Sequence, residues 1–207
     1  MNAQSWRGLI RHRHRTTGEL TFNIGPSYCY SDAVGSLFNQ TLVGGLHNFN
    51  FNGGFKQTLS ERFSYKIGLT YGNYSGADIP SRRHTDGFYS YTINAIQFSV
   101  RTEYAYRFGL KYGKGTPFSL YGFIGAGLLN SNVTFPTDAR QGKPTSLGGV
   151  GIMGIGYQYR INQRYSIGSE LEWNYSTNDY LEGYHPPTSK FNDVLVGISF
   201  VVAYRIF

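Results

Sequence analysis

The sequence predicts an all-β fold, an eight-stranded antiparallel transmembrane β-barrel, and three observations predict it. Apolar residues recur with a period of two in one segment after another, the spacing of a strand with one apolar and one polar face. The links between these segments alternate short and long, which puts tight turns at one end of a barrel and loops at the other. Aromatic residues make up 17% of the 207 residues and charged residues only 15%, against roughly 25% charge in an ordinary soluble domain. Rings with an apolar body and a polar tip gather at membrane interfaces.

Taken in order, "GELTFNIGPSYCY" places Leu20, Phe22, Ile24, Pro26, Tyr28 and Tyr30 on one face, and Glu19, Thr21, Asn23, Gly25, Ser27 and Cys29 on the other. The stretch near 43–56 alternates less cleanly because glycine occupies both faces, and it is taken as the second strand. In "FSYKIGLTYG", Phe63, Tyr65, Ile67, Leu69 and Tyr71 oppose Ser64, Lys66, Gly68, Thr70 and Gly72. Ile96, Phe98, Val100, Tyr104, Tyr106 and Phe108 then alternate with Gln97, Ser99, Arg101, Glu103 and Arg107. Two more glycine-rich strands are expected near 117–130 and 147–160. Tyr165, Ile167, Leu171, Trp173 and Tyr175 oppose Ser166, Gly168, Glu170, Glu172 and Asn174. The last segment, "VLVGISFVVAYRIF", has Val194, Val196, Ile198, Phe200, Val202, Tyr204 and Ile206 on one face and mainly small residues on the other.

Position explains that last segment. In bilayer hydrocarbon every backbone polar group must be paired within the protein, so a sheet spans only if its last strand meets its first. Small residues on the second face suit the narrow, filled interior of eight strands. The terminal Phe207 shares the parity of Arg205 and Ala203, not that of the apolar face.

The short links are "KQTLSERF" and "RINQRY"; the long ones run from Ser31 to Leu42, Gly76 to Thr92, Ser131 to Ser146 and Thr177 to Asp193. A soluble barrel would turn the apolar face inward and leave Glu19, Lys66, Arg101, Glu103, Glu170 and Glu172 in solvent. The load of Phe22, Tyr28, Tyr65, Tyr71, Phe98, Tyr104, Trp173 and Tyr175 on the apolar face argues for lipid outside. Glu19, Lys66, Arg101, Glu103, Glu170 and Glu172 are then the expected charge network of the lumen, each needing a partner of opposite sign.

Other classes fall away. No apolar run approaches the ~20 residues of a spanning helix, and mean hydropathy is -0.34. The single Cys29 allows no intramolecular disulfide. "MNAQSWRGLI" lacks the apolar core of a signal peptide, and a mature or trimmed chain is expected.

Residues 1–16 form a basic arm ahead of a barrel spanning 17–207. The net charge is +7, with Arg7, Arg11, Arg13 and Arg15 concentrated in "WRGLIRHRHR". On the short-turn, periplasmic side this arm is a candidate surface for an acidic partner or for anionic headgroups, and it also reads as a solvated terminus. His12 and His14 lack a third ligand nearby in sequence, so no metal and no cofactor are expected. A barrel in a membrane does not suit nucleic acid.

The segments "KQTLSERFSYKIGLTYG", "YRINQRYSIGSELEW", "STNDYLEGY" and "RRHTDGFYSYTINAIQFSVRTEYAY" resemble a small outer-membrane barrel family of Bacteroidota, the PorG-type barrels of the type IX secretion system. The likeness covers about residues 17–207, with "NDYLEGY" its most specific piece. It implies a noncatalytic component of the Gram-negative outer membrane, termini in the periplasm, holding a periplasmic ring of PorK and PorN. Outer-membrane lipid and those ring proteins are its implied partners.

Three alternatives stay open. An enzyme of the lipid-deacylating kind would draw on His47, His84 or His185 with one of many serines, but no Gly-x-Ser-x-Gly turn or spaced carboxylate pair supports it. A passive pore conflicts with the bore of eight strands. A surface adhesin or ligand-binding barrel would act through long loops such as "DIPSRRHTDGFYSY" and "EGYHPPTSKFND".

Overall fold

The computed structural model describes residues 17–30, 48–77, 90–107, 117–134, 145–177 and 193–206. Eight strands follow in chain order: β1 (Gly18–Tyr30), β2 (Phe49–Thr58), β3 (Phe63–Ala77), β4 (Ser90–Arg107), β5 (Phe118–Thr134), β6 (Thr145–Arg160), β7 (Tyr165–Ser176) and β8 (Val194–Arg205). Each pairs antiparallel with the next, and β1 pairs with β8, so the sheet closes without an edge. Closure meets the requirement that hydrocarbon imposes on backbone polar groups.

The pleat sends alternate side chains to opposite sides, and the sorting is that of a membrane barrel. Outward-facing Ile124 is 65% exposed and Leu69 57%, whereas inward-facing Lys66 is 2% exposed and Arg101 5%. In water this arrangement would be unstable, because apolar groups face out and charges face in; in lipid it is the favourable one. On β8, Ile198 and Phe200 face outward, while Leu195, Val201 and Ala203 are buried within.

The seam between first and last strands is tight. Its register pairs Glu19 with Arg205 and Tyr30 with Val194. Arg205 Nη2 lies 3.1 Å from Glu19 Oε1, which pins the seam at the short-turn end. Gly25 sits where a Cβ would run into the carbonyl of Ile198, so the close approach of β1 and β8 requires a bare Cα there.

Two short turns share one device. In the β2–β3 turn, Ser60 Oγ accepts hydrogen bonds from the amides of Arg62 and Phe63. In the β6–β7 turn, Asn162 Oδ1 accepts from the amides of Arg164 at 2.8 Å and Tyr165 at 2.7 Å. Short polar side chains that satisfy local amides reverse the chain without a glycine.

The strand ends differ from the sequence reading. β2 runs over Phe49–Thr58, past the end expected at 56, while residues 43–47 of that expectation lie outside the described residues; β5 continues to Thr134, and β6 starts at Thr145. β3 and β4 pair as far as Ala77↔Ser90, inside the segment read as a loop from Gly76. The physical reason is that these strand ends carry Asn, Ser and Thr outside, so the apolar alternation stops although the backbone pairing continues.

Candidate functional site

The lumen is filled in two layers. Toward the loop end, Tyr74, Ile93, Ala95, Leu129, Val133, Val150, Ile152 and Leu195 form an apolar plug around buried Cys29. Toward the short-turn end lies a charged layer, built because β2, β3, β4 and β7 each place charged side chains on their inward parity.

Arg101 is its centre. Its Nη2 lies 2.5 Å from Glu170 Oε1, its Nη1 3.0 Å from Glu172 Oε2, and its Nε donates to Glu103 Oε1 at 3.0 Å. The guanidinium also stacks over the Phe123 ring, 3.9 Å from the centroid. A planar fork with five donors is suited to several carboxylates at once, as a lysine is not.

The carboxylates are completed by neighbours. Glu170 Oε1 accepts from the Tyr121 hydroxyl at 2.7 Å, and Oε2 accepts from Asn23 Nδ2 at 2.7 Å. Lys56 Nζ lies 2.6 Å from Glu103 Oε2. Lys66 Nζ donates to Asn23 Oδ1 at 3.3 Å. Asn174 bonds Glu172 at 2.8 Å and accepts from Gln97 at 3.1 Å. Three cations, Lys56, Lys66 and Arg101, thus share the layer with three carboxylates, Glu103, Glu170 and Glu172, and the formal charges cancel. Cancellation matters because an unpaired buried charge costs several kcal/mol.

Room for this layer comes from β6. Gly154 lies under the Phe123 ring, where a Cβ would collide with the ring and with the Leu171 carbonyl. Near the short-turn mouth a cavity of about 320 Å³ is lined by Glu19, Lys56, Glu61, Arg62, Tyr121 and Arg160, among others.

The structure thus brings Lys66, Arg101, Glu103, Glu170 and Glu172 together and places Glu19 at the edge of the same layer, opposite Lys56 in the β1–β2 register and paired with Arg205 across the β1–β8 seam. Lys56, Asn23 and Tyr121 belong to the layer although the sequence reading did not single them out. The signal for Lys56 was present: Asn50, Asn52, Gly54 and Lys56 share a parity opposite to Phe49, Phe51 and Phe55. Arg7, Arg11, Arg13, Arg15, His12, His14, His47, His84, His185 and Phe207 lie outside the described residues. Among the described residues no group of three His, Cys, Asp or Glu could hold a metal.

No family model matches the chain, and no curated protein matches it. Solved structures do resemble it. A major outer membrane protein of Thermus thermophilus superposes with a TM-score of 0.57 at 13% identity, covering 93% of this chain and 100% of that one. Ail, the attachment invasion locus protein of Yersinia pestis, solved with the heparin analogue sucrose octasulfate, gives 0.53 at 12% identity, with 92% and 99% covered. Neisserial surface protein A gives 0.51 at 13%, with 91% and 97% covered. At such identities the likeness is one of fold: this chain is built as a small outer-membrane barrel is built.

Proposed function

We propose that the chain is a noncatalytic outer-membrane anchor, and specifically a type IX secretion component that holds a periplasmic PorK/PorN ring against the membrane. The observation that carries the first half, an anchor as against a pore, is the Arg101 cluster. A lumen crossed by paired, buried side chains offers solutes no passage, so the barrel works through its ends and its outer wall. The second half draws on the sequence resemblance to PorG-type barrels, which supplies the partner.

The short-turn end fits such a role in its chemistry. Arg62, Arg160 and Arg164 are exposed there, and β1 begins at that end, so the basic arm joins the barrel on the same side. Basic groups at the rim steer an acidic surface and set the salt dependence of association. In this reading both chain ends and the short turns face the periplasm.

The test is recovery of partners from detergent-solubilised membranes with the full chain tagged. Recovery of the two ring proteins supports the reading. Retention of a host polysaccharide or surface ligand with no ring protein would overturn it in favour of adhesion through the loops.

A further inference from the structure

Among the described residues, one wall of the barrel is taller than the rest. β3, β4, β5 and β6 run for 15, 18, 17 and 16 residues, while β1, β2, β7 and β8 run for 13, 10, 12 and 12. The extra length carries a distinct outer face. Going toward the loop end, the outward rung Leu69–Phe98–Leu128 is apolar, and the next pairs Tyr71, Ile96, Asn130 and Leu147. Beyond it the rung reads Asn73–Asn94–Asn132–Thr145, followed by Ser75–Thr92–Thr134.

Every side chain in those two upper rungs is a neutral amide or hydroxyl. Asn73 Nδ2 donates to Asn94 Oδ1 at 2.9 Å, and the Tyr71 hydroxyl donates to the same oxygen at 3.0 Å. Asn130, Asn132, Thr134 and Thr145 are exposed. Among the described residues the shorter strands carry no such pair of rungs: at the same end they show Tyr28, Phe49, Tyr175 and Val194, with the single hydroxyl of Thr177 just past the end of β7.

Height fixes what this wall meets. It continues the lipid-facing band without a break, with Tyr71 at the boundary where amphipathic rings sit in an interface. The upper rungs therefore stand at headgroup level. Their chemistry selects the headgroup: an amide and a hydroxyl each donate and accept, as sugar hydroxyls do, whereas a phosphate or sulfate is met by Arg or Lys, and these rungs carry neither.

We propose that the outer wall of β3–β6 binds neutral sugar headgroups of membrane glycolipids, whose acyl chains lie on the apolar band below. The proposal rests on the band facing lipid. It does not depend on which side of the membrane the loops occupy.

The test uses the full chain folded into phosphatidylcholine vesicles. Trace lipids carry the same acyl-chain spin label on phosphatidylcholine, on phosphatidylglycerol or on a neutral digalactosyl diacylglycerol. The motionally restricted fraction of each spectrum reports its occupancy at the barrel wall. Galactolipid is expected to be enriched roughly twofold to tenfold over phosphatidylcholine, the range for one net hydrogen bond. The variant N94A/N130A/N132A is expected to lose that enrichment. N132A alone, at an exposed position, is expected to lose part of it and serves if the triple variant does not fold.

A restricted fraction with no sugar preference, or one that the variants leave intact, overturns the wall proposal alone. Enrichment of phosphatidylglycerol over the galactolipid overturns it as well. Absence of a restricted fraction for every lipid overturns the lipid-facing band and the wall with it.

Discussion

Arg101 on β4 reaches Glu170 on β7, 2.5 Å away, across the lumen between strands that are not neighbours in the sheet. The contact ties opposite walls of the barrel. With Glu103 and Glu172 on the same guanidinium, loss of the cation leaves carboxylates buried without their main partner.

R101M is therefore expected to destabilise the folded barrel by about 3–5 kcal/mol, the cost of breaking a buried pair from one side. E170Q, which keeps the shape and some hydrogen bonding, is expected to cost about 1–3 kcal/mol. Urea unfolding in vesicles, followed by tryptophan emission and by heat-modifiable migration, measures both. Equal and negligible losses would mean that the layer does not brace the barrel.

The outward parity predicts a depth profile. I124R places an arginine on the exposed face of β5 among the apolar rungs and is expected to cost about 2–4 kcal/mol, while T134R, near the loop end, is expected to cost about 0–1 kcal/mol. The same unfolding assay gives the difference. Spin labels provide a second readout: at Ile67, Phe98 and Leu171 they should contact lipid, and at Lys66 and Glu170 they should not.

The turn capped by Asn162 is exposed and makes a smaller contribution. N162A removes the acceptor for two amides and is expected to lower stability by about 0.5–1.5 kcal/mol. N162D, which retains an acceptor, should lose less. A reversed order in the unfolding midpoints would contradict the assignment.

The basic arm enters the functional proposal. Replacing Arg7, Arg11, Arg13 and Arg15 by Gln is expected to reduce ring co-purification and flatten its salt dependence without altering heat-modifiable migration. Removal of residues 1–15 should go further. Unchanged ring recovery and secretion after that deletion would eliminate the arm as a contact.

Much of this architecture was legible because a membrane barrel enforces one rule per residue. Leu20, Phe22 and Ile24 face out and Glu19, Thr21 and Asn23 face in, as a period of two demands, and the six lumen charges follow from parity alone. Partner choice was not legible. Nothing local in "YKIG" or "SELEW" says that Lys66 reaches Asn23 while Arg101 collects three carboxylates, because those distances depend on the closure and tilt of all eight strands. Lys56 was obscured by the paired glycines before it, which blur alternation on β2. The tall wall was missed for a related reason: Asn73, Asn94 and Asn132 break the hydrophobic pattern where the strands rise out of the apolar band, so the alternation ends although the pairing continues.

A braced, charge-compensated lumen leaves solutes no open path through this barrel. Single-channel recording of the purified chain in planar bilayers tests it most directly. No stable conductance above that of the bare membrane is expected across repeated insertions verified by heat-modifiable migration. A reproducible, ion-selective open state would contradict it.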